Sequence, residues 1–353
     1  MSVNRYAPVA YRINSSLSGR NSYCVISPED EFQNALIEEI HDGYRQSPGR
    51  SYMRARLNRS ADTLWMVPFA MNEARLDSFL SAVEYSHDHY LGTPGFVFPL
   101  DVVQADLVRA YVMHPIDRES SQTIRSFMPN VYSPRWEIAI SFFRRVAQLH
   151  EMGLTSNGIS REQMRVFPEN NEVTIWLNET LSFQSVSENP NRVIRHMGFL
   201  SVPAATEKKC QDLGIAISGQ KRDVFSAAVT AFYLIMHSHP FVGAAFWKIV
   251  RSDYLNSYQN WPRYILEPGT DNDPGNQMLS RAITGQWERT TAGLKKMFDS
   301  IFLAVTHPET WDNDAEYWDP QAWIRALESD AAVNDNESSR GEYYFENEMD
   351  HLV

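Results

Sequence analysis

The first third of the chain alternates short runs of β-branched and aromatic residues with turn residues, a pattern that predicts strands. The predicted strands cover residues 11–13, 23–26, 64–69, 95–103 and 107–113. Two helices interrupt them. One is expected near residues 28–46, where Ser27, Pro28 and three acids form a helix-start signal, and one at residues 72–85, where apolar residues recur at helical spacing.

From about residue 130 the apolar residues recur mainly at helical spacing, so the remainder is predicted to be largely helical. Helices are expected at residues 133–153, 223–236, 294–305 and 319–327, with a strand hairpin at residues 164–167 and 173–177. Residues 223–236 are apolar on every side, which predicts a buried helix. Residues 267–278 are dense in Pro, Gly, Asn and Asp, which predicts a loop.

These elements predict an α+β fold with two lobes. The 353 residues are 43% hydrophobic, a globular composition, and a single core stops growing at roughly 250 to 300 residues. We expect a β-rich amino-terminal lobe at residues 1–113, with the helix near 28–46 inserted, and a helical lobe at residues 114–328. Residues 329–353 carry seven acids against one arginine, a formal charge of −6, and are predicted to be an acidic flexible tail.

The charge balance narrows the possible partners. The chain has 32 basic and 44 acidic residues, a formal net charge of −12, which argues against nucleic-acid binding. The sequence has no apolar run of about 18 residues and a polar amino end, so we expect neither a membrane partner nor secretion, and a cytoplasmic location. Cys24 and Cys210 are far apart and are interpreted as ordinary buried thiols.

Three sequences give the most specific indication of a family. They are LHEMGL at residues 149–154, MRVFPENNEVTIWL at residues 164–177 and RDVFSAAVTAFYLIMHSHPFVG at residues 222–243. Together with an extended crossing at residues 113–115, they resemble the protein kinase fold, specifically the divergent bacterial kinase-like proteins, over roughly residues 95–330. Because a fold does not determine a function, each catalytic position has to be tested separately.

The phosphate-binding lysine of a kinase is missing from this chain. A kinase carries that lysine on its third strand. The first lysine here is Lys208, so no alignment of the small lobe can supply one. If residues 64–69 form the third strand, Val67 or Pro68 stands near the position. Arg54 or Arg56 could reach phosphates instead, but a guanidinium does not replace an ammonium conservatively.

The two essential aspartates of a kinase are missing as well. No aspartate occurs between Asp117 and Asp212, the window that holds the catalytic-loop and metal-binding positions. The resemblance places Ser156, Asn157 and Gly158 on the His-Arg-Asp triplet and Gln163 on the metal-binding asparagine. It places Leu177, Asn178 and Glu179 on the Asp-Phe-Gly triplet. Glu179 or Glu162 is the nearest acid that could compensate.

The resemblance to the glycine-rich loop of kinases is weak as well. Residues 15–26 resemble its hairpin, but only Gly19 falls where a glycine lets the backbone approach phosphate, and Arg20 follows directly. Gly19, Arg20 and, at the crossing, Met113 are therefore the weak candidates for nucleotide contacts.

The positions that remain are structural. The resemblance assigns Asp223 to the aspartate that anchors the catalytic-loop backbone and His150 to a core histidine. Pro203 matches the proline of the Ala-Pro-Glu motif, with Ala204 in place of the glutamate, and Asp319 stands where the arginine partner of that glutamate is expected. Losing both members of a buried ion pair can be nearly neutral, which suggests a fold adapted to inactivity.

Other candidate chemistry is weak. His87 and His89 lie near acids but lack a further ligand cluster, so a polar loop at residues 86–95 is favoured over a metal site. His237 and His239 flank the end of a helix, where histidine is favourable. In the tail, Tyr343, Tyr344 and Phe345 among acids are typical of segments that bind a partner or their own domain, and a solubilising tail is the alternative.

The sequence therefore predicts a pseudokinase that acts as a regulatory or scaffold protein through protein contacts. The resemblance implies partners such as a kinase, a phosphatase or a von Willebrand A type protein of the same system. The alternative is a phosphoryl- or nucleotidyl-transferase that holds metal with Glu179, Glu162 or Gln163. No cofactor is expected. A third hypothesis is a nucleotide-sensing protein that binds ATP without metal.

Overall fold

A computed structural model describes most of the chain. The described residues are 11–14, 22–26, 53–57, 63–69, 72–105, 108–114, 120–124, 136–187, 189, 198–243, 254–272, 277–312 and 314–338. They form a six-stranded sheet, a four-stranded sheet, a two-stranded sheet and eight α-helices, so the predicted α+β class is confirmed. The predicted helix near residues 28–46 lies outside the described residues, as do Gly19, Arg20, Tyr343, Tyr344 and Phe345.

The large sheet is built from the first 113 residues. Its strands are β1 Tyr11–Asn14, β2 Ser22–Ile26, β3 Met53–Leu57, β4 Thr63–Phe69, β6 Asp101–Ala105 and β7 Val108–Met113. They follow the order β1-β2-β3-β4-β7-β6, and every neighbouring pair is antiparallel. The predicted strands at the start of the chain are confirmed, and β3 was not predicted.

The additional strand β3 changes the place of the expected phosphate-binding strand. Residues 64–69 lie in β4, which is the fourth described strand and not the third. Arg54 and Arg56 lie on β3, which pairs with β4 from Met53 and Met66 to Arg56 and Thr63. On its other side β4 pairs with β7, where Pro68 stands opposite Ala110.

Helix α1, Glu73–Tyr90, follows β4. The Asn72 side chain caps it by accepting a hydrogen bond from the Arg75 backbone nitrogen at 3.0 Å. On its buried face, the Phe79 ring meets Tyr111 of β7 edge-on at 6.1 Å. The helix ends five residues later than predicted, so His87 and His89 lie in its last turn and not in a polar loop.

The four-stranded sheet contains the predicted hairpin. Its strands are β5 Phe96–Val97, β8 Gln122–Thr123, β10 Met164–Phe167 and β11 Glu172–Trp176, in the order β5-β11-β10-β8. The single strand predicted at residues 95–103 is instead divided between β5 and β6. Pro99 lies between them, and because proline cannot donate a hydrogen bond it interrupts the ladder.

The remaining helices are α2 Trp136–Glu151, α3 Ala204–Asp212, α4 Gly219–Met236, α5 Tyr254–Asn260, α6 Gln277–Arg289, α7 Ala292–Thr306 and α8 Pro320–Ser338. Strands β9 Leu154–Thr155 and β12 Ser182–Phe183 form the small sheet. Helix α4 is buried on almost every side, as predicted. Its Phe232 packs edge-on against Phe298 and Phe302 of α7, at 5.2 and 5.5 Å.

The folded part of the chain extends beyond the predicted tail boundary at residue 329. Helix α8 continues to Ser338. Asp330 is fully buried and accepts hydrogen bonds from Trp136 Nε1 at 2.8 Å and from the Thr291 backbone nitrogen at 2.6 Å. The acidic composition of residues 329–338 therefore belongs to a docked helix, because at least one of its acids is a buried hydrogen-bond acceptor.

Cys210 is fully buried in the core, and burial raises the pKa of its thiol to about 11, which fits the predicted inert thiol. Among the described residues, none of the helices combines the length and the apolar character needed to cross a membrane.

His239, just after α4, is held in one neutral form. The Phe241 backbone nitrogen donates to its Nδ1 at 3.2 Å, so Nε2 carries the proton and donates to the Phe199 carbonyl oxygen at 2.8 Å. Burial lowers the pKa of His239 from 6.5 to about 4. Between these values the unfolded chain binds a proton that the folded chain does not, so stability is expected to fall as pH drops from about 6.5 to 4.

Chemical denaturation at pH 7 and pH 5 measures this effect. His239→Gln, which keeps a donor and an acceptor, should lose less stability between the two pH values than the wild type. His89→Gln removes an exposed histidine and is the control. His307 acts in the opposite direction, because its hydrogen bond to Glu267 raises its pKa and gives stability that is lost as pH rises. An unchanged pH dependence in His239→Gln would refute the assignment.

Candidate functional site

One buried carboxylate organises the candidate site. Asp223 lies in α4 and is fully buried. Its two oxygens accept hydrogen bonds from Thr155 Oγ1 at 2.6 Å, the Ser156 backbone nitrogen at 3.0 Å and the Gly158 backbone nitrogen at 2.8 Å. His150 Nε2, at the end of α2, lies 3.2 Å from the same carboxylate. The structure thus brings together Asp223, His150 and Gly158, and it fixes the loop after β9 to the central helix.

The loop itself is closed to solvent. Ser156, Asn157 and Gly158 are all buried, and Gly158 has a φ of 100° that favours glycine. The Asn157 side-chain nitrogen donates to the Thr180 carbonyl oxygen at 2.7 Å and to Ser182 Oγ at 2.8 Å. The three residues expected at the catalytic triplet therefore supply no carboxylate. Their hydrogen bonds join the loop to α4 and to residues 180 and 182.

The side chain of Gln163 also forms hydrogen bonds within the protein. It ends a 3₁₀ turn, Arg161–Gln163, and is 3% exposed. Its amide nitrogen donates to Ser156 Oγ at 3.1 Å and to the Trp176 carbonyl oxygen at 3.0 Å. Its amide oxygen accepts from the Ser160 backbone nitrogen at 2.9 Å. This amide therefore joins the loop to strand β11, in the position where the resemblance expects a metal ligand.

Two residues of the segment expected to match the Asp-Phe-Gly triplet, Leu177 and Asn178, likewise form hydrogen bonds within the protein. Leu177 is fully buried, and its backbone nitrogen donates to the Val97 carbonyl oxygen at 3.0 Å. The Asn178 side-chain oxygen accepts from the backbone nitrogen of Thr180 at 3.0 Å and from its hydroxyl at 2.6 Å, which closes a local turn. Glu179 is 3% exposed, whereas Glu162 is half-buried.

None of the acids of helix α1 is buried. In the kinase mechanism the strand lysine pairs with a glutamate of the helix that follows. Here α1 is described over its whole length, and its acids, Glu73, Asp77, Glu84 and Asp88, are all exposed. The buried face of α1 therefore offers no acid for such a pair. The alternation of buried and exposed positions along the helix could have indicated this from sequence.

Arg165 is a buried cation that no sequence pattern predicted. It lies on β10, two residues after Gln163, and is 5% exposed. Its Nε donates to Ser121 Oγ at 3.1 Å and its Nη2 to the Ser121 carbonyl oxygen at 2.9 Å. Ser121 belongs to the segment that follows Met113, which is itself 1% exposed. The only available signal was an arginine in an otherwise apolar strand, and it was too weak to indicate these contacts.

An ion pair connects helix α3, which follows Pro203, to helix α4. Pro203 precedes the first turn of α3. Arg222, whose side chain is 4% exposed, places its Nε 2.8 Å from an oxygen of Glu207 in α3. The sequence indicates that the ion pair expected between the positions of Ala204 and Asp319 is missing, but it does not predict this one. Asp319 instead caps α8 by accepting from the Gln321 backbone nitrogen at 2.9 Å.

The described residues contain no group of three or more His, Cys, Asp or Glu side chains arranged to hold a metal ion. His87 and Asp88, the nearest approach to the metal site considered from sequence, are exposed and 3.7 Å apart. Comparison of the chain with protein-family models and with curated proteins finds no match.

Proposed function

We propose that the chain has a bilobal protein kinase-like fold and acts as a pseudokinase, without phosphotransfer. The observation that carries this proposal is the anchoring of the loop by Asp223. The carboxylate holds the backbone of residues 156 and 158, yet the position assigned to the catalytic aspartate is Gly158, and it is buried. The support of a catalytic loop is thus present while its charges are absent.

The topology supports the same proposal. A helix, α1, lies between β4 and the β6–β7 hairpin of an antiparallel sheet, and the chain then enters a largely helical region around the buried helix α4. The exposed acids of α1 and the absence of lysine before Lys208 remove both members of the ion pair that an active kinase requires.

We infer that such a protein acts through protein contacts, as a regulatory or scaffold component. Partners of the kinase, phosphatase or von Willebrand A type belong to this proposal and rest on the family resemblance alone. Co-purification of the native complex would identify them most directly.

The transferase alternative needs Gln163, Glu162 or Glu179 to hold a metal. For Gln163, the contacts of the site weigh against it, because its amide makes three hydrogen bonds within the protein. A metal ion would have to break these bonds before it could replace them.

A thermal-shift titration of the full chain tests the proposal. ATP with magnesium is expected to leave the melting temperature unchanged, because a ligand that binds the folded state would raise it. Magnesium alone is the control, and transfer of labelled phosphate to the chain or to a generic protein substrate is measured in parallel. A magnesium-dependent shift together with phosphate transfer that Glu179→Gln abolishes would contradict the proposal. A shift with ATP alone would indicate a nucleotide-sensing pseudokinase.

A further inference from the structure

A groove lies between helices α3, α5 and the carboxyl end of α7, and it shares no lining residue with the loop that Asp223 holds. It encloses about 200 Å³, and Thr206, Lys209, Trp261, Arg263 and Val305 are among the residues that line it. Trp261 is 54% exposed. A tryptophan so exposed beside a concave surface is a typical anchor for a partner, because its ring offers a large apolar area with a hydrogen-bond donor.

The positive charge at the rim of this groove is carried mainly by lysine. Lys209 lines the groove and its exposed neighbour Lys208 precedes it on α3, whereas Arg263 on the opposite side already pairs with the exposed Asp271. These groups stand out in a chain with a net charge of −12 and only six lysines. An occupant that combines aromatic side chains with acidic ones would therefore match the groove in both shape and charge.

The chain itself contains a segment of this chemistry. Residues 342–346 read Glu-Tyr-Tyr-Phe-Glu, and residues 339–353 carry four acids against one arginine. The two tyrosines and the phenylalanine could pack on Trp261, and the flanking acids could meet the lysines of α3 and Arg263.

The course of helix α8 decides whether this segment can reach the groove of its own chain. Trp323 packs against Phe298 at 5.3 Å, and Asp330 bonds to the Thr291 backbone, so α8 runs antiparallel to α7. With a rise of about 1.5 Å per residue, Ser338 lies roughly 12 Å beyond the start of α7, and the groove lies about 21 Å in the other direction. The separation is thus about 33 Å.

The linking chain is too short for that distance. Five to seven residues join Ser338 to Tyr343 and Phe345, and at about 3.4 Å per residue they span roughly 17 to 24 Å. With α8 intact, the aromatic residues cannot reach the groove of the same chain, whereas a second chain imposes no such limit.

We propose that residues 342–346 of one chain bind the groove between α3, α5 and α7 of a second chain. The two surfaces differ, so the contact is heterologous and joins copies head to tail. This proposal does not depend on the absence of phosphotransfer. The chain is expected to self-associate with rising concentration, and less so at high salt because charges at the rim are screened.

Sedimentation of full-length variants tests the proposal. The groove variant is Trp261→Ala, and the tail variant replaces Tyr343, Tyr344 and Phe345 by alanine. Each alone should weaken self-association at least tenfold relative to the wild type. Leu91→Ala, which removes an exposed apolar side chain on another surface, is the matched control and should change nothing. Circular dichroism checks that each variant is folded.

Mixing the two variants gives the decisive result. The groove variant still has its tail and the tail variant still has its groove, so an equimolar mixture should form a heterodimer that neither forms alone. A wild type that stays monomeric at all concentrations would overturn the proposal. A mixture that fails to associate would also overturn it. So would a difference in tryptophan fluorescence between the tail variant and a monomeric wild type, because that difference indicates docking within one chain.

Discussion

Replacing Asp223 by alanine should lower the free energy of unfolding by about 4 kcal/mol, the largest effect expected from any single change at the site. The substitution leaves the backbone nitrogens of Ser156 and Gly158 and the hydroxyl of Thr155 buried without their acceptor. Each buried donor left unsatisfied costs roughly 1 to 3 kcal/mol. Urea denaturation of the wild type and the variant measures the difference.

Two further variants make this experiment specific. Asp223→Asn keeps one acceptor oxygen and the shape of the side chain, so it should lose about half as much stability. Asp212→Ala removes an exposed acid at the end of α3 and should change stability by no more than about 0.5 kcal/mol. If Asp223→Ala unfolds no more easily than Asp212→Ala, the loop is not held by this carboxylate.

Gly219→Ala is expected to destabilise the protein by about 2 kcal/mol, although alanine usually favours a helix over glycine. A Cβ atom at Gly219 would lie 2.5 Å from Thr155 Oγ1 and 2.7 Å from the Asn157 side-chain oxygen. Moving either group would break a hydrogen bond, because Thr155 is hydrogen-bonded to Asp223 and Asn157 to Thr180. Thermal or urea denaturation measures the loss.

The chain supplies matched controls for this change. Gly293 near the start of α7 and Gly285 inside α6 have no atom within 4 Å of an added Cβ. Gly293→Ala and Gly285→Ala should therefore be neutral or stabilising by up to about 1 kcal/mol. A stabilising Gly219→Ala would show that the packing of α4 against the loop is looser than described.

The sequence predicted most elements whose patterns are local. The hairpin at β10 and β11 and the buried helix α4 followed directly from hydrophobic periodicity and turn residues, because both signals lie within a few residues of each other. Strand β3 was missed although Met-Arg-Ala-Arg-Leu alternates with period two, since two arginines in five residues suggest an exposed segment.

Two features that the sequence patterns did not indicate depend on residues far apart in the chain. The acidic composition of residues 329–338 suggested a tail, and only contacts with Trp136 and Thr291 show that Asp330 belongs to the core. The same holds for the pair of Arg222 and Glu207, which are fifteen residues apart and meet because α3 packs beside the start of α4. Periodicity carries no information about such pairings.

The missing charges and the contacts of the groups in their places differ in how far the sequence reveals them. The missing lysine and aspartates could be read from sequence because absence from a whole window needs no alignment. The uses of the replacing groups could not, since the hydrogen bonds of Gln163 and Asn157 join elements whose approach is set by tertiary packing.

The backbone of Gly158 also limits what evolution or design could do with this chain. Its φ of 100° lies in a region that residues other than glycine rarely adopt, so an aspartate placed there would strain the backbone whose nitrogen donates to Asp223. On the assignment proposed above, a single substitution at this position would not supply a working catalytic aspartate. The loop would have to be rebuilt before a carboxylate could be placed there, because the backbone and not the side chain alone sets the limit.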